Sequence, residues 1–175
     1  MYVEGADFTS INFRRGVWHQ TTTAVALLTA AAAGRENVMA CEWAMMVSTA
    51  PLCFVISVHP SHETHDLITR SGEFGLSFCG DDQARLSHIS GSYSLLDVDK
   101  WKLADFPRYR GQVIAAPLID GSPLNVECRV IGRHDLGHTV FIGEAVWARY
   151  DEEGRTPLLY HDAKYWHLGS QVPKS

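Results

Sequence analysis

An apolar run, Leu52 to Val58, interrupted only by Ser57, lies between Pro51 and a His/Ser-rich turn that begins at His59. Its Val, Ile and Phe content, with proline at one edge and Pro60 just past the other, predicts a buried strand. A short helix is expected next. Thr64 is placed to serve as its N-cap, Asp66 suits the first turn, Leu67 and Ile68 face a core, and Gly72 fits the left-handed position past the end. Phe74 to Cys79, FGLSFC, then returns as a strand. The stretch from Asn37 to Cys79 therefore reads as a loop ending at Ser48, a strand, a turn, a helix and a second strand. The rest of the chain is arranged around it.

Upstream, residues 1 to 20 read as an arm, because Phe8, Ile11, Phe13, Val17 and Trp18 follow no clean period. Thr21 to Ala33, TTTAVALLTAAAA, mixes helix-favouring alanine with strand-favouring threonine and valine. The turn at Gly34 to Asn37 ends it at strand length, and its uniform apolar character implies burial on both faces. Downstream, Gly80 opens a second short helix with Leu86 and Ile89 inward and Gly91 at its end. Residues 91 to 112 read as an irregular aromatic and charged excursion, a lid or a dimer contact. Leu124 to Ile131, Thr139 to Tyr150 and Leu158 to His161 are strand candidates, with Gly132 to Gly137 a turn. Gly143 inside the long strand marks a bulge or a close backbone approach. Many strands with two short inserted helices predict a mainly β architecture, a barrel, as one domain over residues 1–175.

The 175-residue length suits a single core, and a formal net charge of −5 leaves no basic footprint for nucleic acid. The longest apolar stretch, Ala24 to Ala33, is too short to span a bilayer. Cys41, Cys53, Cys79 and Cys128 show no metal-ligand spacing, and three sit inside apolar runs, as free cysteines in a reducing compartment do. The opening residues MYVEGADF lack the basic-then-apolar build of a signal peptide. The expectation is a soluble cytoplasmic protein with no nucleic-acid or membrane partner.

Several chemistries lack their residues. His62 to His65, HETH, is one residue short of HExxH, so its imidazoles do not share a helix face, and no metal is expected. GxGxxG, Walker A and GxSxG motifs are absent, and no paired carboxylates stand out.

Six pieces in order carry a resemblance: N-x-M-A-x-x-W at Asn37 to Trp43, V-S-x-x-P at Val47 to Pro51, T-x-x-L-I-x-x-x-G-E-F at Thr64 to Phe74, LNVEC at Leu124 to Cys128, G-H-x-x-F-I-G-E at Gly137 to Glu144, and PLLY at Pro157 to Tyr160. Over roughly residues 15 to 170 the chain resembles the flavin reductase-like family of FMN-binding split barrels. That family includes flavoredoxin and the small reductase components of two-component flavin monooxygenases. The resemblance implies a split β-barrel of Greek-key type that dimerises, with FMN (or FAD) at the subunit interface and NAD(P)H as co-substrate. It implies that the flavin ring lies against the loop Trp43, Ala44, Met45, Met46, Val47 and Ser48. The phosphate would sit near Ser61, His62 and Thr64, a placement that an open helix N-terminus favours independently. Ser77, Phe78 and Cys79 would flank the ribityl chain, and His138 would lie near the nicotinamide. The partner implied is a flavin-dependent monooxygenase or another redox protein.

Other readings of these residues stand beside that one. Trp43, Met45 and Met46 also suit a core, and His138 also suits a solvent-facing turn. Two departures from the family pattern matter. No fixed cation stands at Ser61-His62, so phosphate affinity would follow histidine protonation. Gly137 replaces the aspartate expected before His138. A flavoredoxin-like electron carrier without a nicotinamide site, or a non-enzymatic flavin- or haem-binding barrel, are the alternatives to a reductase.

Overall fold

The computed structural model describes residues 3–5, 7–94 and 98–173. Part of the expected 91–112 excursion, residues 95–97, lies outside them, as do residues 1, 2 and 6 of the expected arm. The elements run α1 (Ile11–His19), β1 (Thr22–Ala24), β2 (Ala26–Ala32), β3 (Arg35–Cys41), β4 (Ala44–Thr49), β5 (Leu52–Val58), α2 (Glu63–Ser71) and β6 (Glu73–Phe78). A 3₁₀ turn (Asp81–Gln83) leads to α3 (Ala84–Ser92), α4 (Lys100–Ala104), β7 (Arg108–Arg110), β8 (Pro117–Ile119), β9 (Leu124–Asp135), β10 (Thr139–Tyr150), β11 (Leu158–His161) and β12 (Lys164–His167).

Seven strands form one antiparallel sheet in the order β3-β2-β6-β9-β10-β5-β4, beside a three-stranded sheet β1-β11-β12 and a β7-β8 pair. The two edge strands of the large sheet, β3 and β4, are consecutive in the chain and joined through Glu42 and Trp43. One face buries Leu28, Phe54, Ile56, Phe74, Leu76 and Phe141 beneath Leu67 and Ile68 of α2. The other buries Leu27, Val38, Ile119 and Leu158 with Ala104 and Phe106. Leu27 and Leu28 thus serve opposite cores, which is why β2 needs apolar side chains at successive positions.

Three expectations change. The Thr21–Ala33 segment divides at Val25, whose N–H bonds Leu158 and whose carbonyl accepts from Cys79, so the chain passes from one sheet to the other there. Residues 11–19 of the arm are helical, started by Ser10, whose hydroxyl accepts from the Phe13 N–H. That helix buries none of its own residues, so it has no apolar stripe to betray it. Finally, the Gly132–Gly137 turn tightens: β9 runs on to Asp135, and the Leu136 N–H bonds the His138 carbonyl at 2.8 Å.

The expected bulge is present. The β9–β10 register shifts between Ile142 and Gly143, and a side chain at Gly143 would meet Phe74 and Cys128. Glu127, fully buried, holds the loop before β8 by accepting the Gln112, Val113 and Ile114 N–H groups at 2.6, 2.7 and 2.8 Å.

Candidate functional site

A cleft of about 310 Å³ opens where α2, β3 and the end of α3 meet, lined by Asn37, Ser61, His62, Thr64, Gly91 and Lys100 among others. Helix α2 begins one residue earlier than Thr64. Its N-cap is His62, which makes no side-chain capping bond, and this corrects the assignment of Thr64 as cap. Thr64 is instead buried in the first turn, where its hydroxyl accepts from the Asn37 side-chain amide at 2.9 Å. The α2 N-terminus therefore faces the cleft with no side chain capping its first amides. Glu63, in the same wall, is tied to Arg35 at 2.6 Å.

A second hollow, about 180 Å³, shares Met39, Ala40 and His62 with the first and is bounded by Trp43, His59 and His138. The His138 ring lies edge-on to Trp43 at 4.8 Å and to His59 at 5.0 Å, and His59 lies 5.9 Å from His62. His138 thus has ring neighbours in place of the missing aspartate; Asp135 is turned away, bonded to Arg133 and Thr139. Desolvation, then the charge of His59, lowers the His138 pKa; desolvation also leads the lowering at His62. Both are held toward the neutral imidazole. The Ser61 N–H donates to His59 Nδ1 at 3.2 Å.

The loop expected to end at Ser48 is instead strand: Asn37 to Cys41 belong to β3, Glu42 and Trp43 make the connection, and Ala44 onward is an edge strand, β4. It pairs with β5 alone within the sheet, with a register shift around Val47. An edge strand leaves alternate N–H and C=O groups open, so the backbone donors expected there keep their availability with better-defined directions. Trp43, Met45, Met46 and Val47 are exposed while Ala44 is buried, so core filling does not explain the large residues. Beside them runs an apolar groove of about 720 Å³, lined by Trp43, Ala44, Met45, Met46, Phe54 and Phe78 among others.

The three residues expected along the ribityl chain separate. Phe78 lines that groove. Ser77 is fully buried, donating to Asn125 at 2.6 Å and accepting from the Ile119 N–H at 3.0 Å. Cys79 is buried in the second core. Neither lines the hollows described above: Ser77 is covered by β8, from whose Ile119 N–H it accepts, and Cys79 lies just past the end of β6.

Lys100 is the residue the sequence did not disclose. Asp99 caps α4 by accepting the Trp101 and Lys102 N–H groups, and Trp101 is clamped between Phe106 and the Arg108 guanidinium, 4.1 Å over its ring. That anchoring buries Lys100 to 3% exposure, with its ammonium donating to the carbonyls of Val38 and Ser90 at 2.9 Å each. Among the described residues no carboxylate pairs with it. Burial pushes its pKa down to about 8. The Asp99 cap was a readable signal for the helix, but nothing local ties position 100 to position 64.

Among the described residues no three His, Cys, Asp or Glu side chains group to hold a metal, and no helix is long and apolar enough to cross a membrane. The four cysteines are buried and free, and burial pushes the thiols of Cys41, Cys79 and Cys128 up to about 12, so they are poor nucleophiles.

Fold and clefts define a mainly β domain with short helices, built like the flavin reductase split barrels. The chain belongs to the family of the flavin reductase like domain, whose model matches residues 18–169. It is 30% identical over 118 residues to an uncharacterized protein of Pyrococcus abyssi, covering 67% of each chain. It is 22% identical over 161 residues to the FMN reductase (NADH) RutF 1 of Methylorubrum extorquens, covering 92% of this chain and 78% of that one. Among solved structures, the NADH:FAD oxidoreductase SgcE6 of Streptomyces globisporus superposes with a TM-score of 0.88 at 22% identity, over 97% of this chain and 100% of that one.

Proposed function

We propose that this protein is an NAD(P)H-dependent flavin reductase that takes FMN, or FAD, as its flavin. The observation that carries the reading is the membership of residues 18–169 in the flavin reductase family, joined to a cleft that suits a flat phosphorylated guest. The fit rests on this chain's own residues. One end has a buried cation without a carboxylate and an uncapped helix N-terminus; the other has an indole, neutral imidazoles and an open strand edge. When bound, the flavin supplies the hydride acceptor and reduced nicotinamide the donor, so the protein needs no acid–base pair of its own.

The residues divide the work. The open amides of β4, from Ala44 to Ser48, bond the polar rim of the ring, and Trp43 covers its edge. Ser61, His62 and the first turn of α2 hold the phosphate, with Thr64 and Asn37 keeping that turn in place. His138, backed by Trp43 and His59, orients the nicotinamide as a neutral donor. Phe78 shields the flavin from water. Such positioning of the two rings against each other would be the protein's main contribution to the rate.

The assembly completes the site. The two edge strands meet through Glu42-Trp43, which supports closure of the sheet into a split barrel. A second copy covers the apolar groove beside Met45, Met46 and Val47, giving a homodimer of single-domain protomers, residues 1–175. It works in the cytoplasm and hands reduced flavin to a flavin-dependent monooxygenase or another redox partner. The test is NADH and NADPH oxidation with and without added FMN. Oxidation that requires FMN and saturates with it supports the reductase. A protein that turns yellow with FMN but oxidises neither nucleotide is an electron carrier, and one that ignores FMN is neither.

A further inference from the structure

We propose that Thr139 is a positioning residue for the nicotinamide nucleotide: its hydroxyl ties the hairpin that carries His138 to helix α2, bonded to His65 on one side and to Asp135 on the other. The inference rests on the reductase reading above, in which His138 orients the nicotinamide, and adds what holds His138 in place. Thr139 is buried to 1% exposure at the first position of β10. Its hydroxyl donates to Asp135 Oδ1 at 2.8 Å and lies 2.9 Å from His65 Nε2. The Arg133 guanidinium, bonded to Asp135 at 2.9 Å, holds that carboxyl below its ordinary range, so it is ionised and only accepts. A hydroxyl has one proton, and here it goes to Asp135. His65 is therefore the other donor, through Nε2–H, and this assignment holds for the neutral and the charged imidazole alike.

Helix α2, β9 and β10 meet at this one hydroxyl. His65 stands in the first turn of α2, the helix whose N-terminus faces the larger cleft, and its ring lies 5.4 Å from Phe141, two residues along β10 from Thr139. Asp135 ends β9 and is the antiparallel partner of Thr139. The tip between them has little packing of its own: Leu136 is 76% exposed, and a side chain at Gly137 would meet nothing within 4 Å. The His138 ring is met by ring edges, Trp43 at 4.8 Å and His59 at 5.0 Å. Edge contacts of this kind are weak and leave the donor direction open. The aim of His138 therefore follows the strand end beneath it. Valine would fill the space of Thr139 equally well; only the hydroxyl joins α2 to the hairpin.

The test is Thr139→Val, which keeps the shape and removes the hydroxyl, assayed by oxidation of NADH or NADPH with FMN present. Loss of one net hydrogen bond predicts a nucleotide KM raised about fivefold, with FMN affinity within about twofold of the unaltered protein. Thr139→Ser restores the hydroxyl and should bring KM back. In a His138→Gln background, Thr139→Val should add less than about twofold, because it acts through His138. An unchanged nucleotide KM, equal losses on FMN and nucleotide, or full additivity with His138→Gln would each overturn the inference. Should Thr139→Val not fold, His65→Phe decides: it keeps a ring beside Phe141, removes the Nε2–H donor, and should also raise the nucleotide KM. An unchanged KM in that variant overturns the inference as well. If the unaltered protein oxidises neither NADH nor NADPH, the reductase reading itself fails and this inference falls with it.

Discussion

Gly143 offers the sharpest quantitative test of how the frame beneath the site is packed. It lies in β10, four residues after Thr139, on the strand that carries the His138 turn. A Cβ placed there would stand 2.6 Å from Phe74 Cε1 and 2.8 Å from Cys128 Cβ, and closer still to Phe74 Cζ. Gly143 has no positive φ, so alanine is conformationally allowed. In open space Gly143→Ala would stabilise by about 0.4–1 kcal/mol through the unfolded chain. Here both neighbours are fully buried and cannot withdraw, and overpacking of this kind costs about 1–3 kcal/mol. The steric cost wins, for a net loss of about 1–2 kcal/mol. With a urea slope of about 2–3 kcal/mol/M, the midpoint should drop by about 0.5 M. Phe74→Leu removes the ring atoms that Cβ meets but leaves Cys128, so it should recover about 1 kcal/mol of the Gly143→Ala loss in a double-mutant cycle. Two substitutions that add within about 0.5 kcal/mol would refute the claim that Phe74 is what the glycine accommodates.

Three further outcomes follow from the structure. His138→Gln should raise KM for NADH by about tenfold while FMN affinity stays within about twofold, as loss of one positioning contact to the nicotinamide requires; equal losses on both ligands would place His138 elsewhere. Met46→Arg puts a charge on the exposed apolar side of β4 and should shift sedimentation from dimer to monomer with little change in the urea midpoint of the protomer; an unchanged dimer would remove this groove from the interface. For Lys100 the folded pKa, about 8, lies below the ordinary 10.5, so between those pH values the unfolded chain holds more protons. Flavin-free stability from this group therefore rises with pH across that window. The difference in urea midpoint between the unaltered protein and Lys100→Met should follow that slope, and a flat difference would contradict the burial argument.

Much of the frame was legible because it rests on local pattern. The β5 run, the Gly72 C-cap at φ 68°, and the bounds of β10 and β11 come out of side-chain type and punctuation. Elements that bury little escaped: α1 has no buried residue, and Lys164–His167 forms the outer strand of a small sheet, so neither has a strong period. Met45 to Val47 read as a loop because three adjacent apolar side chains fit neither a helix stripe nor strict alternation, and a bulge at Val47 accounts for that. The candidate site divides the same way. Trp43, His138 and the α2 terminus were singled out as candidates from motif pieces in order. Lys100 was not, because α4 brings it to Thr64 across 36 residues through packing that no short motif records. Ser77 and Cys79 were assigned to the ribityl chain by the resemblance alone, yet Ser77 is bonded beneath β8 through the Ile119 N–H and Cys79, just past β6, packs in the second core.

Rapid anaerobic mixing of the FMN-loaded protein with NADH, and separately with NADPH, reads the proposed chemistry without help from oxygen or a partner. Loss of the oxidised flavin's visible absorbance, saturating with one of the two nucleotides and slowed by deuterium at the transferred position, is the predicted result. A spectrum that stays yellow with both nucleotides, in protein shown to hold FMN, would contradict the reductase account.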